Sequence, residues 1–333
     1  MKKIINWKKA SHWRLTIQWL FFAWCLFLGV QFALFVRHFE TAGRAGYYAR
    51  PPGVEGFLPI GSLVSLKTWL FTGHFDTVHP AALVLFLTFL LMSLLAKKSF
   101  CSFICPVGAL SDGAWRLGRK VFGKNFRIWR GLDLFLQFTK YALLFFFVKL
   151  ILFGMPAVAL KEFLNAPYWA IADVKMLHFF TSMSTTSMVV IGLLSILSVF
   201  FKNFWCRYLC PYGALLGLLS MISPFKIARY QDKCIDCGTC SRRCPSQIDV
   251  QHKVQVHSPE CTGCLTCVSN CPAKGALSMA FWKRPVSGFA FLAIVLLLFG
   301  GGVLTGMLTD HWQTRLTYDD YRQLIPLASR LGH

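Results

Sequence analysis

Residues 234–245 read CIDCGTCSRRCP, and residues 261–272 read CTGCLTCVSNCP. Each run is C-x-x-C-x-x-C-x-x-x-C-P, with Cys234, Cys237, Cys240 and Cys244 in the first and Cys261, Cys264, Cys267 and Cys271 in the second. Three cysteines in one tight loop reach three irons of a cubane, while the fourth enters a short helix and points its thiolate at the neighbouring cluster. The spacing therefore predicts two 4Fe-4S clusters with crossed ligands: Cys234, Cys237, Cys240 and Cys271 on one, and Cys261, Cys264, Cys267 and Cys244 on the other. Paired zinc sites also use C-x-x-C pairs, but tetrahedral zinc has no use for a third evenly spaced cysteine or for a Cys-Pro terminator in both runs. A fully ligated cubane leaves no substrate position and exchanges single electrons, so the segment reads as a relay.

Outside this segment the chain is apolar. Of its 333 residues 55% are hydrophobic and 15% charged, a balance that a water-exposed globular surface does not tolerate. Crossing about 30 Å of hydrocarbon takes roughly 20 apolar residues as helix, and five runs approach that length: residues 16–36, 81–96, 133–154, 183–201 and 286–307. The second is the shortest and is expected to gain a turn from residues 77–80. Residues 57–72, interrupted by Gly61 and Lys67 and followed by Gly73, read as an amphipathic or re-entrant segment. The first run follows basic residues as a secretory signal would, but it is too long for a signal core and no small-x-small site follows it, so it reads as an uncleaved first span.

The formal net charge of +21 could suggest nucleic acid, but such binders gather their basic residues on one soluble face. Here the charges flank apolar runs, so lipid is the expected partner and nucleic acid is not. Residues 1–15, 97–132 and 202–285 hold 24 Lys and Arg, against 9 in residues 37–80, 155–182 and after 307. By the positive-inside rule the N-terminus and both cysteine-bearing loops are cytoplasmic and the C-terminus is periplasmic, in a bacterial inner membrane. Twelve of the 13 cysteines fall in those reducing loops, where metal ligation is expected and disulfides are not. Cys25, alone in the first span, reads as a small buried hydrophobe. The expected fold is mainly α: a polytopic helical bundle over residues 1–225, a cytoplasmic ferredoxin-like α+β insertion over 226–282, and a fifth span with a periplasmic tail over 283–333.

A second motif sits where two spans meet the cytoplasm. Lys97, Lys98 and Phe100 lead into Cys101, Cys105, Pro106, Gly108, Ala109 and Leu110, and Lys202 and Phe204 lead into Cys206, Cys210, Pro211, Gly213, Ala214 and Leu215. Both segments run apolar helix, basic residue, aromatic, then C-x-x-x-C-P-x-G-A-L, an internal repeat that implies two related hairpins about a pseudo-two-fold axis. Cysteines at i and i+4 share one face of a helix, and the following proline disfavours helical geometry at the second, which marks a helix end. Brought together, the four thiols offer a site for a third cluster, for copper or zinc, or for a redox-active dithiol. The alternative is that small residues simply pack the hairpins.

Haem held between spans needs histidines inside them, and none lies inside the five, so haem is not expected. His74, His79 and His178 stand near outer span ends and read as surface histidines. Lys140 and Lys149, within the third span, are expected to snorkel or pair.

The order of helices, the two boxes and the double cysteine run resemble the NapH/NosR/CcoG-type family of membrane-bound polyferredoxins over roughly residues 15–280, most closely the NapH-like quinol dehydrogenase component. The resemblance implies that electrons pass between the quinone pool and a redox protein, whether a cytochrome, a ferredoxin or a reductase, with the chain as the electron-transfer component of an oxidoreductase system. It matches Cys101, Cys105, Cys206 and Cys210 to the family's membrane-edge cysteines. The CcoG-like branch implies an alternative, a maturation factor that reduces copper at those four cysteines, and a membrane redox regulator is a third reading. NapH-like proteins usually end after the ferredoxin segment, whereas here an apolar run and a tail follow Met279.

Overall fold

The structure is a computed structural model that describes residues 7–328, with side chains from Ala10 onward. It is mainly helical, and the chain divides into two compact units. One takes the chain up to Phe22, Phe89–Leu144 and Val190–Phe299; the other takes Ala23–Thr88, Phe145–Val189 and the chain from Gly300 onward.

Among the described residues three helices are long and apolar enough to cross a membrane, over Ala10–Glu40, Arg130–Leu152 and Gly288–Leu308. Most of each stays unburied by protein, as lipid-facing helices must. The other two runs differ from uninterrupted spans. Pro80–Ala96 is a helix of 17 residues. Thr185–Phe200 meets Ala172–Thr181 at 76°, a broken pair that makes a fourth crossing if taken as one span. The break falls on Ser182, Met183 and Ser184, where hydroxyl side chains compete for backbone hydrogen bonds and Ser182 leaves helical geometry.

The first unit carries both cysteine motifs. Its three antiparallel strands are β1 (Phe225–Arg229), β2 (Leu277–Phe281) and β3 (Arg284–Val286), in the order β1-β2-β3. Phe225 pairs with Phe281 and Arg229 with Leu277, so β1 and β2 bracket both cysteine runs and bring their ends together. β3 lies beyond residue 282, where the sequence suggested the insertion ends.

In the second unit Phe32, Phe35, Val36 and Phe39 pack with Ile171 and Tyr321 in one apolar cluster. Beside it lies a buried polar network that the sequence did not reveal. Arg50 donates to Glu55 at 2.8 Å and to Asp173 at 2.6 Å, and His79 Nδ1 lies 3.4 Å from Glu55. His79 is therefore not a surface histidine: it is fully buried, with its Nε2 2.7 Å from the Trp169 carbonyl oxygen. Buried carboxylates need such partners, and Arg50 supplies two of them at once. His74 and His178 lie toward the surface as expected, and His178 pairs with Glu40 at 3.0 Å.

Candidate functional site

Each cysteine run wraps a short loop and then enters a helical turn, Thr239–Arg243 in the first and Thr266–Ser269 in the second. Gly238 and Leu265, both left-handed, cap these turns and fold each loop back on itself. At Gly238 a side chain would also press within 2.8 Å of Arg242 and Gln251. One small cavity is lined by Cys234, Cys237, Cys240 and Cys271. A second is lined by Cys244, Cys261, Cys264 and Cys267. Each set of four thus combines three cysteines of one run with the last of the other.

The donor chemistry of both cavities fits 4Fe-4S clusters. Arg229 Nε donates to Cys234 Sγ at 3.2 Å, the amide of Gly263 faces Cys261, and those of Ser246 and Ile248 face Cys244. Amide and guanidinium donors aimed at sulfur stabilise the negative charge that a ligated cluster carries. Ile227, Ile248, Val250, Val256 and Leu265 give the second cavity an apolar lining. Burial, and then the nearby Cys264, push the free Cys244 thiol up to about 12, whereas the Thr239 hydroxyl holds the exposed Cys237 below the usual thiol value. Cys237 is exposed, whereas Cys244, Cys261 and Cys267 are buried.

The two boxes at the membrane edge fold alike. Cys101 is the third residue of the helix Ser99–Phe103 and Cys206 the third of Phe204–Tyr208. Cys105 and Cys210 are extended and N-cap the helices Pro106–Phe122 and Pro211–Leu219, accepting from the amides of Gly108 at 3.4 Å and Gly213 at 3.2 Å. The cysteine pair of each box consequently straddles two helices, and does not lie on one face of a single helix as its spacing suggested. The proline opens the second helix at its first position, where the missing N–H costs nothing. At Gly108 the glycine has a steric cause, since a Cβ there would lie 2.2 Å from the Cys101 carbonyl oxygen; at Gly213 the nearest atom, Cys210 Sγ, would be at an ordinary 3.4 Å.

The boxes meet each other. Ser111 donates to Asn203 at 3.1 Å, and Phe100 packs edge-on against Tyr212 at 5.9 Å. Cys101 and Cys206 line one cavity of about 50 Å³, whose wall also includes Arg14, Lys98, Glu260 and Cys264. All thirteen cysteines are free of disulfides. Burial, followed by the charge of neighbouring thiols, holds Cys105 and Cys206 well above the usual thiol value; at Cys101 burial dominates and the nearby Lys98 only partly offsets it, leaving it near 11.

Charged residues around this cavity were only partly legible. Lys140 pairs, donating to Glu260 at 2.6 Å, and Tyr141 donates to the same oxygen at 3.1 Å. Arg14 donates to Asp112 at 3.1 Å and to the Ser102 carbonyl at 3.0 Å. Arg207 donates to Asp133 at 2.8 Å and also to the Ser246 carbonyl, which ties the second box to the ferredoxin segment. No local pattern marks these pairs, because Lys140 and Glu260 stand 120 positions apart. Lys149, in the same helix as Lys140, is exposed.

Membrane-length helices joined to cysteine-lined cavities of this chemistry define a membrane-bound iron-sulfur electron-transport protein. A family model described as a 4Fe-4S binding domain matches residues 78–125 and again 183–229, and a 4Fe-4S dicluster domain matches residues 226–272. The chain belongs to the NapH/NosR-type family of membrane polyferredoxins. It is 43% identical to the "Putative electron transport protein YccM" of Escherichia coli K12, over 98% of this chain and 94% of that one. The ferredoxin-type protein NapH of the same organism is 25% identical over 75% of this chain and 85% of its own length. The regulatory protein NosR of Pseudomonas aeruginosa is 28% identical over 61% of this chain and 29% of its own. No solved structure matches.

Proposed function

We propose that the chain relays electrons between the quinone pool and a redox protein through two 4Fe-4S clusters, held by Cys234, Cys237, Cys240 and Cys271 and by Cys244, Cys261, Cys264 and Cys267. The observation that carries this reading is the crossed lining of the two cavities, each with four thiols and no open ligand position. The clusters supply one-electron exchange when bound. The protein's own residues set the direction of contact. Cys237 at the surface offers the first cavity to a soluble or membrane redox partner, and Cys264, shared between the second cavity and the box cavity, carries the path back toward the helices.

In this reading the helices form five crossings of the bacterial inner membrane, with the N-terminus and residues 226–282 in the cytoplasm. Support comes from the 24 to 9 division of basic residues and from the need of bare thiols for a reducing compartment. A quinol delivers two electrons and releases two protons, and two one-electron centres accept that pair. The test is anaerobic: purified protein is mixed with a quinol analogue, and cluster absorbance is followed before and after a quinone is added. Bleaching by the quinol and recovery with the quinone are expected. Clusters that respond to neither overturn the quinone link.

A further inference from the structure

The box repeat places a lysine four positions before each first cysteine, Lys97 before Cys101 and Lys202 before Cys206. A lysine at the end of an apolar helix ordinarily extends its stem outward and leaves the ammonium in water or among lipid headgroups. Both of these turn the other way. Lys97 is fully buried and donates to the Val256 carbonyl at 3.1 Å, with its stem beside Gly263. Lys202, also buried, donates to the carbonyls of Arg242 at 2.9 Å and Cys244 at 3.3 Å. Two equivalent side chains of the repeat thus reach the same cysteine set, Lys97 at Cys261 and Lys202 at Cys244. Lys97 also holds a left-handed backbone, at φ 62°, which glycine or asparagine adopts more readily.

A third ammonium joins them. Lys226 on β1 is buried, donates to the Met221 carbonyl, and lies within hydrogen-bond reach of Lys97 and electrostatic reach of Cys261. Like charges this close repel unless an anion stands beside them. Among the described residues no carboxylate makes an ion pair with Lys97, Lys202 or Lys226. The first cysteine set differs, because Arg229, which donates to Cys234, is paired with Asp236.

Carbonyl oxygens satisfy the N–H donors of these lysines but carry no net charge, so the balance of three buried cations falls to the thiolates of the second set. A cubane on four thiolates is anionic, and reduction adds one more negative charge. Cations fixed beside it, in surroundings that screen charge poorly, favour the reduced form over the oxidised one.

We propose that Lys97, Lys202 and Lys226 are the counter-charges of the cluster on Cys244, Cys261, Cys264 and Cys267 and raise its midpoint potential, so that the box repeat sets how firmly the relay holds an electron there. The proposal rests on the relay reading, and the test tells the two apart. The full chain, purified anaerobically in detergent, is titrated with dithionite while electron paramagnetic resonance follows the two ferredoxin signals. Lys97→Met and Lys202→Met are each expected to move the second cluster to lower potential and the first cluster less. Lys97→Arg, which keeps the charge, should stay near the wild type. A second cluster unmoved in both methionine variants, or an equal shift of both clusters, overturns the proposal and leaves the relay standing. Should the methionine variants not assemble, wild-type protein grown on nitrogen-15 lysine decides: spin-echo modulation from lysine nitrogen is expected on the reduced second cluster, and its absence overturns the proposal. A chain without any cluster overturns both.

Discussion

Lys140, in the helix Arg130–Leu152, donates to Glu260, the residue immediately before Cys261, across 2.6 Å with neither side chain more than 11% exposed. Of the two fates its place within an apolar run allows, snorkelling or pairing, Lys140 takes the second, and a long apolar helix is tied to a cysteine loop.

Glu260→Gln removes the carboxylate and strands Lys140 in an apolar setting, a loss of about 3–5 kcal/mol for a broken buried pair. A lowered thermal midpoint in detergent is expected, with partial recovery in the double variant Lys140→Met/Glu260→Gln. A double variant no more stable than Glu260→Gln would show that the pair is not coupled.

Cys244→Ser and Cys271→Ser should each damage the cluster nucleated by the other run, because Cys244 lines the cavity of Cys261 and Cys271 that of Cys234. Spectra resolving the two clusters measure this. Loss confined to the mutated run would refute the crossed ligation.

Gly108→Ala should disturb the first box and spare the ferredoxin segment. The added Cβ meets the Cys101 carbonyl oxygen at 2.2 Å, so the helix Pro106–Phe122 must shift away from the short helix before it. Overpacking of this kind costs about 1–3 kcal/mol. Thermal unfolding, read together with cluster spectra, separates the two effects.

A reporter fused after Met279 is expected to give a cytoplasmic signal, and one at His333, which lies outside the described residues, a periplasmic signal. Lys283 and Arg284 before the helix Gly288–Leu308 and Asp310 after it orient that crossing outward. A periplasmic signal after Met279 would reverse the compartments; a cytoplasmic one at His333 would remove only the last crossing.

The cysteine runs were legible because cluster geometry dictates spacing in the chain itself, and two cavities are each lined by four of these eight cysteines. The boxes were legible as a repeat but not in detail. From Cys105 and Pro106 one reads a helix end, and the structure shows that the same proline also begins the next helix. Crossings were read by hydrophobic length, which cannot see the 76° break after Thr181. Arg50, Glu55, His79 and Asp173 were illegible for a different reason: Arg50 and Asp173 lie 123 positions apart, and nothing local distinguishes a buried ion pair from separate surface charges.

Cys237 reaches the surface, whereas Cys244, Cys261 and Cys267 are buried. Dissolved oxygen and peroxide strike sulfur and iron where water can bring them. Oxidative damage is therefore expected to begin at the Cys234 set, and a brief exposure that stops there leaves the buried centre to be reused once the outer one is rebuilt.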